Sequence, residues 1–114
     1  MDTDFTLKTR ASFTITETIL IDFTTYIKIE KRTLPKMITQ FMFNYIEHLD
    51  SSFLKNNHQN KVLKTKYIAM SIPDNVYSQF KQKTEEEGVK MSKIIEQFMQ
   101  KYNDFMKNCQ KGIK

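Results

Sequence analysis

The chain has 114 residues, a formal net charge of +5, 27% charged residues and 12% aromatics. That length suits about one domain, and the composition argues against a disordered chain. With two glycines and two prolines there is little room for an all-β fold with many tight turns. No apolar run approaches the roughly 20 residues of a membrane span, so no membrane partner is expected.

The first residues, Met1-Asp2-Thr3-Asp4, are acidic and lack the basic segment and apolar core of a signal peptide. The single cysteine, Cys109, is expected to be a free thiol, and the protein cytoplasmic. From Phe13 to Ile29 the odd positions are nearly all apolar: Phe13, Ile15, Ile19, Ile21, Phe23, Ile27 and Ile29. Period two argues a strand, yet a strand normally runs only ~3–10 residues. The same stretch places Ile19, Phe23 and Ile27 on one helical face. A strand near Arg10–Thr16 followed by a helix from Thr18 to Glu30 reconciles the two patterns. Thr33 is an N-cap candidate for the next helix, and Pro35 fits its first turn. That helix turns Met37, Ile38, Phe41, Met42, Tyr45, Ile46 and Leu49 inward, with Phe53 beyond. Asn56-Asn57-His58-Gln59-Asn60 is polar and helix-breaking, within a linker over 56–63.

The second half is more legible. Lys66 to Ile72 alternates, with Ile68, Met70 and Ile72 on one face and Tyr67, Ala69 and Ser71 on the other. Pro73-Asp74-Asn75 ends the strand and starts a helix, where Asp and Asn can accept bonds from its free amides. Val76, Phe80 and Thr84 share one helical face with Tyr77 beside them, and Gly88 ends that helix. The last helix, from about Met91, carries Ile94, Ile95, Phe98, Met99, Tyr102, Phe105 and Met106 in an apolar stripe.

The halves repeat one another without a gap. Shifted by 57 positions (72 − 15 = 57), Ile15 falls on Ile72, Phe23 on Phe80, Glu30 on Glu87 and Lys36 on Lys93. Gln40-Phe41-Met42 then falls on Gln97-Phe98-Met99, and Tyr45 on Tyr102. Amphipathic helices share apolar spacing in any case, but this register also runs back through both strand-like segments. One folding unit thus occurs twice, and two copies favour one compact domain over an open array. Each short strand needs a partner, and the other copy supplies it as an antiparallel ribbon. Four helices then cover one side, giving a mainly α fold.

The run Lys66-Tyr-Ile-Ala-Met-Ser-Ile-Pro-Asp-Asn-Val-Tyr-Ser-Gln-Phe, with Gly88 and then Met91-Ser92-Lys93-Ile94-Ile95, resembles the ribbon-helix-helix (Arc/MetJ/CopG-like) family of DNA-binding proteins. The likeness covers roughly Lys8–Glu47 and Lys64–Phe105. It implies one domain over 1–114, a tandem ribbon-helix-helix intramolecular pseudo-dimer with copies over 8–55 and 64–106. The fused form is similar to TraY-like conjugation accessory proteins.

The resemblance also implies functional positions. The outward strand residues, Arg10, Ser12 and Thr14 with Tyr67, Ala69 and Ser71, would read base edges in the major groove. The second helix of each copy would anchor a phosphate at its N-terminus, here through Arg32, Thr33 and Lys36 and through Lys90, Ser92 and Lys93. Lys8 and Lys66, with Lys64, would add contacts at the strand starts. The pattern also departs from the family's. The second strand offers no Arg, Lys, Gln or Asn outward, Pro35 removes one amide, and Lys90 stands where a capping Ser or Thr is common. Base reading is therefore expected to be asymmetric and led by Arg10.

The charge points the same way, because Asn60 and all residues before it carry seven basic against seven acidic residues. From Lys61 onward there are eleven against six, the whole of the net +5. His48 and His58 have no metal-ligand spacing around them, and Gly88 and Gly112 make no phosphate loop. No enzyme, metal or cofactor is expected, and Glu85-Glu86-Glu87 reads as a solvated acidic face. The expected function is sequence-specific binding of double-stranded DNA as a transcriptional repressor, with cooperative self-association on DNA. The fused form equally suits a relaxosome accessory protein at an origin of transfer, with a relaxase or coupling protein as partner. An antitoxin-type interaction module is the third class. Antitoxins of that type carry a long tail, and only about Lys107–Lys114 is expected after the last helix, which counts against it.

Overall fold

A computed structural model describes residues 7–53 and 64–112. The Asn56–Asn60 linker and His58 lie outside the described residues. The elements run β1 (Lys8–Thr16), α1 (Glu17–Ile29), α2 (Leu34–His48), a 3-10 turn (Ser51–Phe53), β2 (Thr65–Pro73), α3 (Asp74–Glu87) and α4 (Met91–Gly112). The fold is mostly helical with a two-stranded antiparallel sheet. Both strands are somewhat longer than the alternation alone predicts, and α4 continues past position 106 to Gly112.

The ladder pairs Lys8 with Pro73 at one end and Thr16 with Thr65 at the other. Its central pair is Ser12–Ala69, whose separation equals the sequence offset of 57. One face of the ribbon buries Ala11, Phe13, Ile15, Met70 and Ile72 against the helices, and the other stands in solvent. The helices pair across the halves of the chain, with α1 on α4 and α2 on α3.

The same offset recurs contact by contact. Glu17 N–H donates to the Lys64 carbonyl at 2.9 Å, and Asp74 N–H to the Leu7 carbonyl at 2.8 Å. Phe23 meets Tyr102 edge to face at 5.3 Å, as Phe80 meets Tyr45 at 5.4 Å. Phe23–Phe98 at 5.6 Å matches Phe80–Phe41 at 6.4 Å. Phe41 and Phe98 are matched residues themselves, and they stack at 4.4 Å with an interplanar angle of 13°. An offset-stacked pair adds about 0.5–1.5 kcal/mol beyond its buried area.

The helix ends follow the repeat too. Val89 N–H donates to the Thr84 carbonyl at 3.0 Å and Arg32 N–H to the Ile27 carbonyl at 2.8 Å, closing α3 and α1 in the same way. Such a close needs one residue in the left-handed region, which glycine enters without a Cβ penalty. Gly88 takes it at φ 73°, and Lys31, the residue 57 earlier, takes it at φ 60°.

Three expectations are corrected. Phe105, read as part of the apolar stripe, is 62% exposed, and among the described residues Asn103 is the last buried one on α4. Asp74 does not cap α3. Its carboxylate accepts the Thr9 hydroxyl across the ribbon end. Thr33 precedes α2 with extended backbone (φ −110°, ψ 151°), but its side chain makes no capping bond.

Candidate nucleic-acid interface

Alternation decides what the open face of the ribbon displays. β1 buries Ala11, Phe13 and Ile15, so Arg10, Ser12 and Thr14 must point the other way, and all three are exposed. On β2, Tyr67 and Ser71 are exposed, Tyr67 to 71%, while Ala69 is half-buried. The register gathers the six into one patch: Arg10 opposite Ser71, Ser12 opposite Ala69, Thr14 opposite Tyr67. All six expected base-reading residues therefore share one surface, with Lys8 exposed at its Arg10 end. Lys66 and Lys64 are exposed at the start of β2. Lys66 has the inward parity of Ile68, so it reaches solvent only from the ribbon's rim.

The two longer helices flank this ribbon. α4 packs along β1 and α2 along β2. Ser92, in the first turn of α4, is half-buried, and its Oγ accepts the Thr14 N–H at 3.3 Å. One turn on, the Glu96 carboxylate accepts the Thr16 N–H at 2.7 Å. These bonds occupy the outer edge of β1, which protects it from pairing with another chain. They also turn the Ser92 hydroxyl toward the ribbon. At α2 the matched residue is Pro35, which has no hydroxyl to offer.

Each flanking helix begins with cations. Lys36 and Lys93, both exposed, stand at matched positions in the first turns of α2 and α4. Exposed Lys90 precedes α4, and exposed Arg32 precedes Thr33, with its guanidinium 3.7 Å from the Met37 sulfur. The first amides of a helix have no intrahelical acceptor, and the helix dipole adds positive potential there. A helix start bearing a lysine is thus suited to an anion. Two such starts lie on either side of one exposed ribbon.

Behind this face, polar contacts that periodicity does not reveal fix the helices. The Tyr45 hydroxyl donates to Glu87 at 2.6 Å, so Glu87 belongs to this contact while Glu85 and Glu86 remain a solvated face. Burial, then the bond and charge of Glu87, push the Tyr45 hydroxyl well above the usual tyrosine range. Burial, with the charge of Glu30, also raises Tyr102, the matched residue. The Lys83 ammonium donates to the carbonyls of Tyr45 at 3.0 Å, Ile46 at 3.2 Å and Leu49, closing the C-terminus of α2. The Ser52 hydroxyl and N–H both donate to Asp50 just beyond, holding its carboxyl below the ordinary range. Only the recurrence of the Glu30/Glu87 and Tyr45/Tyr102 matches hinted at any of this.

Away from the ribbon, α2, α4 and the 3-10 turn enclose an open groove of about 430 Å³. Its apolar lining includes Phe41, Leu49, Phe53, Phe98, Tyr102 and Phe105, and Lys101 lies over the Phe53 ring at 5.2 Å. His48 is exposed, and no group of three His, Cys, Asp or Glu among the described residues could hold a metal ion. Comparison with protein-family models, with curated proteins and with solved structures finds no match to this chain.

Proposed function

We propose that the chain binds double-stranded DNA sequence-specifically through the outer face of its ribbon, as a transcriptional repressor. In this reading two ribbon-helix-helix copies are fused into one intramolecular pseudo-dimer. The observation that carries it is the outward ribbon face, five of whose six residues are exposed, between two lysine-bearing helix starts. A two-stranded ribbon fits the major groove, and helix starts on both sides meet the phosphates along its walls. The tandem reading is supported by the recurrence of backbone bonds, aromatic pairs and left-handed residues at one offset. Its local axis would run through Ser12–Ala69 and the Phe41–Phe98 stack, where matched residues meet each other.

The experiment is a titration of labelled duplexes at several salt concentrations. Each neutralised phosphate contributes about −0.9 to the slope of log K against log salt, and a slope equal to several contacts is expected. A slope near zero, or equal affinity for single strands, contradicts the proposal.

A second reading, as a relaxosome accessory protein, is favoured by the groove beneath Phe41 and Phe98. No strand residue lines it, so a ribbon engaged on DNA leaves it accessible. A relaxase or coupling protein seated there would distinguish an adaptor from a plain repressor. Duplicating an origin-of-transfer sequence in a mobilisation assay, with Phe105→Glu in the groove, tests it. Loss of transfer with DNA affinity intact is the outcome this reading requires.

A further inference from the structure

The two halves of the ribbon face are not chemically equivalent. At the offset of 57, Arg10 corresponds to Tyr67, Thr14 to Ser71, and Ser12 to Ala69. The register groups them into two ends, Arg10 beside Ser71 at one and Tyr67 beside Thr14 at the other, with Ser12–Ala69 between. One end thus presents a forked cation and a hydroxyl. The other presents an exposed phenol ring and a threonine methyl.

We infer that the chain reads a non-palindromic duplex site in a single orientation, with guanine at the Arg10 end and thymine at the Tyr67 end. This rests on the DNA-binding reading above. Arg10 can donate two bonds to guanine O6 and N7, the contact most specific for that base. The Tyr67 ring, 71% exposed, and the Thr14 methyl instead offer apolar surface, which suits the 5-methyl group of thymine. A chain that read both halves alike would need the same side chain at matched positions. A guanidinium and a phenol differ in charge, shape and donor number, so they do not reward the same base equally.

The register also sets the spacing. Arg10 and Thr14 are four residues apart on β1, about 13 Å along a strand. Base pairs rise about 3.4 Å each, so guanine and thymine lie about four steps apart.

The single exposed cysteine, Cys109, supplies the probe. A site is first selected from a random duplex library with the full chain. A donor dye on Cys109 then reports energy transfer to an acceptor at either end of that duplex. Unequal transfer to the two ends is expected, together with a motif lacking two-fold symmetry. Replacing the thymine with uracil should weaken binding about fourfold, the worth of one buried methyl group, in the wild type but not in Tyr67→Ala. The double variant Arg10→Tyr/Tyr67→Arg should bind the reversed motif and exchange the two transfer efficiencies. Both side chains are exposed, and circular dichroism checks that the variant folds. Equal transfer to both ends, or a palindromic selected site, overturns the inference while leaving DNA binding intact. Absence of any duplex binding instead sinks the DNA reading and this inference with it.

Discussion

Cutting the chain between its halves is the most severe perturbation of a core built across them. Among the described residues seventeen apolar side chains are buried, eleven before the cut and six after it. Burying each contributes about 1.5–3 kcal/mol. Phe23 rests on Phe98 and Tyr102, and Phe80 rests on Phe41 and Tyr45, so much of this burial comes from the opposite half. If that share is about half, separation forfeits on the order of 20 kcal/mol, which exceeds the ~5–15 kcal/mol net stability of a typical domain. It also leaves each strand without its ladder. Fragments Met1–Asn56 and Asn60–Lys114 are therefore expected to be unfolded alone, or folded only as self-paired dimers. Mixed, they should form a one-to-one complex. Circular dichroism against concentration, with sedimentation velocity, decides the question. Two monomeric fragments, each unfolding cooperatively, would refute the reasoning.

The other predictions use point variants. Arg10→Ala should cost about 1–3 kcal/mol on the preferred duplex and much less on a scrambled one. An equal loss on both, in parallel titrations, would show that this strand does not read bases. Lys93→Ala should weaken both duplexes alike and flatten the salt slope by about 0.9. Tyr45 should make the fold sensitive to alkali. Its folded-state pKa is raised above the ordinary 10.0, so its contribution is complete below that pH and is lost as pH rises beyond it. Wild-type stability from urea melts should therefore fall more steeply above pH 10 than that of Tyr45→Phe, and parallel curves would contradict this. Gly88→Ala should destabilise by about 1 kcal/mol through its backbone alone, since φ is +73° and nothing lies within 4 Å of an added Cβ. Lys31→Gly should gain less than that, because glycine also loosens the unfolded chain. Urea melts showing Gly88→Ala neutral would count against the left-handed assignment.

What the sequence revealed depended on where its punctuation fell. Pro73 and Gly88 bracket α3, and both bounds were legible. In the first half no glycine marks the end of α1, since Lys31 occupies the left-handed position, and only its match to Gly88 points there. The strand-like period from Phe13 to Ile29 has an equally local cause. Ile21 and Ile29 are 52% and 60% exposed on a helix whose buried face is Leu20, Phe23 and Ile27. Two surface isoleucines thus imitate an alternation that the fold does not use. The face of the ribbon followed directly from parity, because burying Phe13 and Ile15 leaves Arg10, Ser12 and Thr14 no other direction. The Lys83, Ser92 and Glu96 contacts were not legible. Each joins elements more than thirty residues apart through a polar atom, and spacing along one helix carries no trace of that.

The pattern of agreement between the halves says which positions the fold constrains. Many matched positions that face the core are identical, as in Ile15/Ile72, Phe23/Phe80, Phe41/Phe98 and Tyr45/Tyr102, although buried Ile27 corresponds to Thr84. Interiors are close-packed and respond to a single methylene, so residues meeting at a shared core have little freedom. Several matched positions that face solvent diverge in charge and size, as in Arg10/Tyr67, Ile21/Ser78, Lys28/Glu85 and Phe43/Gln100, while Lys36/Lys93 do not. Exposed changes usually alter stability by no more than about 0.5 kcal/mol. In a dimer of separate identical chains, every substitution appears on both sides of the axis, so the two ends of a ribbon must present the same residues. Joining the copies removes that constraint without touching the core. On the tandem reading, fusion is what permits Arg10 and Tyr67 to differ. The core positions then stay matched, and on the DNA-binding proposal the exposed face is free to distinguish one end of a site from the other.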